Sequence, residues 1–580
     1  MPARAVFCKK RSGLRAWAVG GLAAALAVLV SSCAGWAKKS ADDEVYQIIE
    51  DKRIEGMPTS FTIERDENAG LQWDGTTQTL VLTLPMAIEI AVENSREFQT
   101  RREALYEQGL NLTMARHEWD PIFSGTGEGE VAHLLEREPK IDPLTGETRI
   151  DPETGQARTM PVYKERFTGA FRLGVRRMLV TGGDISIAMV SQLTRYIHAS
   201  DPDKRAGSAF EATLTQPLLK GFGMTAALEG IRQAERDMAY AIRSFVRYRR
   251  RFSIDIAKDY YNLIERRDRM ENDQADYENQ RAARERAEMM AAASRTPMYE
   301  VDQRRQREFR ARDNWQSSVQ DYNQGLDQFK LTLGIPLEIP IEIAPDAKEE
   351  LQVTGLDPVP WTLEEATSIA LAQRLDLRTT IDAVEDAERK VKVAENGLLM
   401  RADANLFWRN SSNDPDRPWQ YEKESQVYGY GGEVELPLDK KADRNVYRMA
   451  LIDWAAAKRL LRERIDQIKL EIRDAFRNLQ QAESSYQIQM RSLQLARRRV
   501  ESTTLLQLAG RVSTRDVLEA QQDFLDAQNA VTRALIDHAT ARLDLVLAME
   551  ALRIDDRGLY QRTVTTSTVA LEAQPPQDSL

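Results

Sequence analysis

The stretch "LQLAGRVSTRDVLEAQQDF", residues 506–524, interrupts a long helical pattern, and a similar stretch, "MAAASRTPMYEVDQRRQREF", stands at 290–309. Displaced by 216 residues, Ala293 falls on Ala509, Arg295 on Arg511, Glu300 on Asp516, Val301 on Val517 and Gln306 on Gln522. Gly510 and Pro297 break helices, and Ser513 or Thr296 can cap the helix that follows. The pattern predicts a point where a long helix reverses, once in each half of the chain.

The flanking sequence supports this. From about Arg444 to Leu506 neither proline nor glycine intervenes, and Ile465, Ile472, Leu479, Tyr486, Leu493 and Val500 recur every seven residues. A second series runs through Leu461, Ile468, Ala475 and Ala482, giving a mixed large and small seam suited to coiled-coil packing. Some sixty residues make a rod of roughly 90 Å. The counterpart spans about Ala226 to Ala293. Sevens also mark the return helices, with Val301, Trp315, Tyr322 and Phe329 in one, and Val517, Val531, His538 and Leu545 in the other. His538 thus falls on a packing face.

A second duplication opens each half. "LTLPMAIEIAVENSREF" (82–98) matches "WTLEEATSIALAQRLDL" (361–377) at an offset of 279, pairing Thr83 with Thr362, Ala87 with Ala366 and Ile90 with Ile369. A helical pattern continues for about three to four further turns in each. Pro121 stops the first, whereas Met400 at the equivalent place gives a softer boundary.

Alternating segments follow. In "YGYGGEVELPLD" (428–439), Tyr428, Tyr430, Val434 and Leu436 point one way and Glu433 and Glu435 the other. "SAFEATLTQPLL" (208–219) sets Phe210, Ala212 and Leu214 against Glu211 and Thr213. Half-buried soluble strands and membrane strands share this pattern. Phe407, Trp408, Trp419 and Tyr421 flank the second hairpin, as in an interfacial aromatic girdle. "FTGAFRLGVRRMLVTGGDISIAMVSQL" reads as an additional hairpin, over 166–196, turning at Thr181–Asp184. The tandem Asp-Pro-x-Thr-Gly at 142–146 and 151–155 reads as polar turns.

The 580 residues carry a formal net charge of −10, which argues against a nucleic-acid partner. With 29% charged residues and a mean hydropathy of −0.50, the chain is no multi-span helical membrane protein. Four scattered histidines make a histidine metal centre improbable. No nucleophile–base set, phosphate loop or metal cluster is legible, so no cofactor and no enzymatic activity are expected. Both cysteines, Cys8 and Cys33, lie in the N-terminal 33 residues. There Lys9, Lys10, Arg11 and Arg15 precede the apolar run Ala16–Val30 and "LVSSC". This leader resembles that of a bacterial lipoprotein, which implies cleavage before Cys33 and its lipidation. Ala34 follows rather than the aspartate of inner-membrane retention, so the anchor implied is in the outer membrane. An ordinary signal peptide is the alternative.

The assembled pattern resembles the TolC-like outer-membrane efflux protein family over roughly residues 80–553. The resemblance rests on both opening helices, the "TQPLLKG" and "ELPLDK" corners, and "AGRVSTRDVLEAQ" with its flanking coils. It implies a mainly α fold with a membrane β-barrel, made of two structural repeats of long coiled-coil helices plus β-hairpins. Three chains would form one tube, and two hairpins per chain would supply twelve strands. The additional hairpin leaves that strand count open. The domains expected are a signal peptide (1–32), a lipidated linker (33–80), a first repeat (81–350), a second repeat (351–555) and a C-terminal tail (556–580).

By the same resemblance the protein is the passive exit duct of a tripartite efflux or type I secretion system. Its partners would be a periplasmic adaptor, an inner-membrane pump or ATP-driven exporter, and outer-membrane lipid. Asp516 and Glu519 match the family's periplasmic gate acids, although Val512 stands where a basic gate residue is usual; Arg511 or Arg515 could substitute. Ser294, Thr296, Pro297, Gly510, Arg511 and Ser513 form the tips that an adaptor would contact. Glu211, Glu433 and Glu435 are the candidate pore-lining carboxylates. A lipid-anchored periplasmic scaffold without a pore is the alternative function.

Overall fold

The structure is a computed structural model that describes residues 35–64 and 79–559, apart from 143–144, 146, 153, 197–203, 295–296, 357–358, 413–416 and 418. Residues 35–51 form helix α1, followed by strand β1 (Leu80–Leu82) and helices α2 (Leu84–Asn94) and α3 (Arg96–His117). Strands β2 (Ile122–Pro139), β3 (Thr159–Met178), β4 (Asp184–Tyr196) and β5 (Lys204–Pro217) come next. A short α4 (Met224–Ala227) precedes α5 (Glu229–Ala292), α6 (Met298–Leu333), β6 (Ile341–Ile343) and α7 (Ala347–Thr354). The second repeat contains α8 (Leu363–Gln373), α9 (Leu375–Gly397), β7 (Arg401–Ser411), β8 (Gln426–Glu435), α10 (Lys441–Leu508) and α11 (Thr514–Ala548). The described chain divides into a helical unit (residues up to 110, 238–382 and from 459) and a sheet-bearing unit (111–237 and 383–458).

In the helical unit the expected seams are where the core lies. Ile468, Ile472 and Leu479 of α10 are buried with Ile369 of α8 and Leu545 of α11. Val301, Tyr322 and Phe329 of α6 and Val517, Val531 and His538 of α11 are buried too. Burying each large apolar side chain contributes about 1.5–3 kcal/mol. His538 Nδ1 lies 3.0 Å from the Gly355 carbonyl, in keeping with a packing role. The two long helices differ in coverage. α5 buries 20 residues along its length, whereas α10 buries only Ile468, Ile472 and Leu479 and leaves Leu460, Ile488 and Leu495 exposed.

The helix ends explain the 216-residue repeat. α10 ends in a left-handed residue, Gly510 (φ 68°). There the Gly510 N–H donates to Gln507 O and the Arg511 N–H to Leu506 O, a Schellman stop. The equivalent position in the first repeat is Ser294, also left-handed (φ 57°). Both return helices end likewise, at Gly334 (φ 74°) and Glu550 (φ 54°), again 216 apart. A Cβ on Gly334 would stand 2.2 Å from Asn94 O, so only glycine fits against the α2–α3 break.

Each opening helix is itself broken, at Ser95 and at Arg374, two extended residues 279 apart. The sequence pattern carried through these breaks without marking them. Thr362 and Glu365 form a capping box at the start of α8, while Thr83 makes no side-chain cap on α2. The segment read as a linker includes α1, whose Val45, Ile48 and Ile49 are buried and whose Tyr46 ring lies 5.9 Å from that of Tyr106. Cys33 and most of the expected C-terminal tail lie outside the described residues.

The sheet-bearing unit answers the strand count that the sequence left open. The two expected hairpins and the additional one form one continuous six-stranded antiparallel sheet, in the order β2-β3-β4-β5-β7-β8. The additional hairpin, β3–β4, is the middle of that sheet. It turns at Leu179–Gly183, where the Leu179 N–H donates to Gly183 O. Gly182 (φ 91°) is needed there, because a Cβ would sit 2.2 Å from Gly221 O. The tandem polar turns each close on themselves: Arg149 pairs with Asp142 and Arg158 with Asp151, seven residues apart in both.

Candidate functional site: a two-faced sheet and two paired tips

Strand alternation, propagated through the ladder, gives the sheet two unlike faces. Phe123 lies opposite Val175, which lies opposite Ile187, which lies opposite Ala212, which lies opposite Trp408, which lies opposite Tyr428. Leu173, Met189, Phe210, Leu214, Leu406 and Tyr430 share that face. It is apolar across all six strands and exposed: Phe123 is 81% and Tyr430 87% accessible. A half-buried sheet of a soluble domain packs such a face onto a core.

The opposite face is ionic. Glu211 on β5 pairs with Arg409 on β7 and lies 4.0 Å from Arg172 on β3. Arg176 pairs with Asp184 (3.3 Å) and Arg401 with Asp403 (2.7 Å). Glu433 and Glu435 lie on this face as well, since their partners are Asp403 and Arg401. The three strand carboxylates named from the sequence therefore share one face. Phe407 lies on this ionic face and Trp408 on the apolar one, so they do not act as one girdle.

The helical unit brings the two tips together. Thr514 Oγ1 donates to Glu300 Oε2 (2.8 Å) and accepts from Gln507 Nε2 (3.1 Å), tying the first tip to the second. Ser513 is the N-cap of α11 in a capping box with Asp516. The Ser513 hydroxyl (2.6 Å) and N–H (3.1 Å) both donate to the Asp516 carboxylate. These bonds hold that carboxyl below its ordinary range. Glu519 pairs with Arg499 (3.1 Å), which also binds Asp523. The basic partner of Glu519 is thus Arg499 from the outgoing helix, which the sequence reading did not single out, while among the cations Arg515 acts most on Asp516. In the first tip the N-cap is Pro297, with no side-chain cap; Thr296 lies outside the described residues.

A second polar feature of the helical unit was not legible in sequence. A cavity of 1010 Å³ is walled by an ion network at the α8–α9 break. Asp376 accepts from Arg374 (2.8 Å) and from Arg464, and lies 3.1 Å from Arg247. Burial pushes its carboxyl up, but these hydrogen bonds and charges outweigh burial and hold it well below the usual range. Glu550 accepts the Leu375 N–H (2.9 Å) and pairs with Arg247 and Arg250. The network clamps helix termini. It presents no nucleophile beside a base.

No protein-family model matches the sequence, and no curated protein matches it. Solved structures do match. The outer membrane protein VceC of Vibrio cholerae is 14% identical, with a TM-score of 0.57 over 80% of this chain and 95% of VceC. CusC, described through its transmembrane channel formation, is 11% identical, with a TM-score of 0.58 over 86% of this chain and 98% of CusC. The Campylobacter jejuni outer membrane channel CmeC is 16% identical, with a TM-score of 0.53 over 90% and 98%. The chain has the fold of these outer-membrane channels.

Proposed function

We propose that the protein is a TolC-like outer-membrane channel, the passive exit duct of a tripartite efflux or type I secretion system. The observation that carries this reading is the two-faced sheet. Its apolar face, exposed across all six strands, suits lipid, and its ionic face suits a water-filled lumen. Among the described residues no helix is long and apolar enough to cross a membrane, so the sheet is the membrane element in this account. Open sheet edges are not tolerated in hydrocarbon, so several copies must close a barrel, three of them by the resemblance drawn from the sequence. The bare face of α10, with Leu460, Ile488 and Leu495 in heptad phase, supports assembly through the helices too.

In this duct Glu211, Glu433 and Glu435 line the lumen, and Cys33 carries a lipid anchor in the outer membrane. The paired tips, from Ser294, Thr296 and Pro297 to Gly510, Arg511 and Ser513, receive an adaptor that joins the duct to an inner-membrane pump or exporter. Asp516 and Glu519 ring the mouth, where Arg499 offsets part of their charge. Inward-facing like carboxylates about 6 Å apart would repel by roughly 0.7–3 kcal/mol, so packing rather than charge holds the mouth closed. No catalytic step belongs to the chain in this reading. A periplasmic scaffold would leave the apolar sheet face in water, which the scaffold reading does not explain.

Purified protein in planar bilayers tests the proposal. Discrete conductance steps are expected, and a protein that inserts nowhere and passes no current refutes it.

A further inference from the structure

We propose that all six strands of each chain lie in the membrane wall, and that β8 of one copy pairs with β2 of the next. Three copies would then enclose an eighteen-stranded barrel. The inference rests on the channel reading above and adds the wall's composition, its seam and its width.

The in-chain observations agree. β3 and β4 sit between β2 and β5 with unbroken antiparallel register from Arg166↔Tyr196 to Met178↔Asp184 and from Asp184↔Thr215 to Arg195↔Lys204. A hairpin folded over the mouth as a cap would leave β2 and β5 as neighbours; here they are separated by two full strands. Both faces also continue through the hairpin up to its turn end, where Arg177 lies opposite Ile185. Phe171, Leu173, Ile185 and Ile187 extend the apolar face, and Arg172, Arg176 and Ser186 extend the ionic one. An even number of strands per chain makes the β8–β2 seam antiparallel, like every other pairing in the sheet.

The two free edges complement each other. On its apolar face β2 carries Gly125, Gly127 and Gly129, which β3 covers only from one side through Leu173, Phe171 and Phe167. On the same face β8 carries Tyr428 and Tyr430, 81% and 87% accessible. Large aromatic side chains from a neighbouring strand are a known means of covering strand glycines. A bare, long edge such as β2 otherwise invites aggregation. The occupant that fits the glycine edge is therefore the tyrosine edge of a second copy.

The extra strands change the size of the outlet. At about 4.8 Å between strands and a tilt near 40°, twelve strands give a backbone diameter of about 24 Å and eighteen about 36 Å. The wider wall leaves an aqueous lumen comparable with that of porins of 16–18 strands. An outlet of that size accommodates bulky or polymeric cargo.

Single-cysteine fluorescence separates the possibilities. Cys8 and Cys33 are the only native cysteines, so the double change Cys8→Ser and Cys33→Ser gives a cysteine-free background whether or not the leader is removed. Labels at Leu173, Ile187, Leu406 and Tyr430, each changed to cysteine, are expected to lose fluorescence to brominated lipid in vesicles. Labels at Arg172 and Ser186 should lose it to aqueous iodide instead. Tyr430→Cys combined in turn with Gly125→Cys, Gly127→Cys and Gly129→Cys should give covalent multimers from one of the pairs. If Leu406 and Tyr430 are quenched by lipid while Leu173 and Ile187 are not, the hairpin lies outside the wall and the inference fails. Failure of all three pairs to cross-link also overturns it. If none of the four sites is quenched by lipid, the channel reading itself falls.

Discussion

Gly510→Ala and Ser294→Gly should act on the two tips with opposite signs. Gly510 is left-handed and nothing lies within 4 Å of the position its Cβ would take. Alanine there therefore bears the backbone cost of the left-handed conformation, about 1–2 kcal/mol, less the chain entropy that removing glycine saves, for a net cost of about 0.5–1 kcal/mol. Ser294 already bears that cost in the first tip (φ 57°). Ser294→Gly recovers it, less the extra chain entropy that glycine loses on folding, for a net gain of about 0.5–1 kcal/mol. Hydrogen exchange followed peptide by peptide reads both changes locally. Around residues 505–512, where Gly510 and Arg511 donate to Gln507 and Leu506, Gly510→Ala should raise the opening equilibrium about 2- to 5-fold. Around 289–294, Ser294→Gly should slow exchange by a similar factor. Unchanged exchange in Gly510→Ala, or faster exchange in Ser294→Gly, would refute the assignment of these residues as matching helix stops.

Other outcomes follow from the same structure. Removing the Asp516 carboxylate with Asp516→Ala should cost about 0.5–2 kcal/mol at the start of α11, read as faster exchange near 513–517; if the ring at the mouth is also real, divalent block of the channel weakens. Because the Asp376 carboxyl is depressed in the folded chain, its contribution is present above its ordinary value of 3.8 and is lost as pH falls further. Asp376→Asn should therefore flatten the loss of stability between about pH 4 and 2, checked by thermal unfolding across that range. Glu550→Ala should destabilise by about 3–5 kcal/mol, since it removes the acceptor of the buried Leu375 N–H and the carboxylate partner of Arg250, while Arg247 keeps Asp376. Ile187→Arg should cost about 2–4 kcal/mol on a lipid-facing strand, while the neighbouring Ser186→Arg is tolerated; yields of folded protein in detergent distinguish the two.

Long-range periodicity made much of this legible. Seven-residue spacing identified Ile468, Ile472, Leu479, Val517 and Val531 as packing positions because coiled-coil seams repeat regardless of what they face. The 216-residue offset located both tips because helix stops use glycine, proline and hydroxyl caps, which stand out in charged helical sequence. Two-residue alternation identified the faces of β5 and β8. It could not place the 166–196 hairpin in the sheet, since strand order depends on pairings between distant segments. The breaks at Ser95 and Arg374 were hidden because neither residue disrupts a helical pattern; the fold opens them with hydrogen bonds from elsewhere, such as Glu550 to the Leu375 N–H. Arg499 was missed for a similar reason. Its partners, Glu519 and Asp523, are neighbours only after the helix reverses at Gly510.

The central claim is that the sheet divides lipid from a water-filled lumen, and adjacent residues of β5 test it most directly. Glu211 faces the ionic side with Arg409, and Ala212 faces the apolar side opposite Trp408. With single cysteines at these two positions, a charged water-soluble thiol reagent applied during single-channel recording should react at Glu211→Cys and shift the conductance. It should leave Ala212→Cys unmodified and its current unchanged. Equal reaction at both positions, with no change in current at either, would contradict the account.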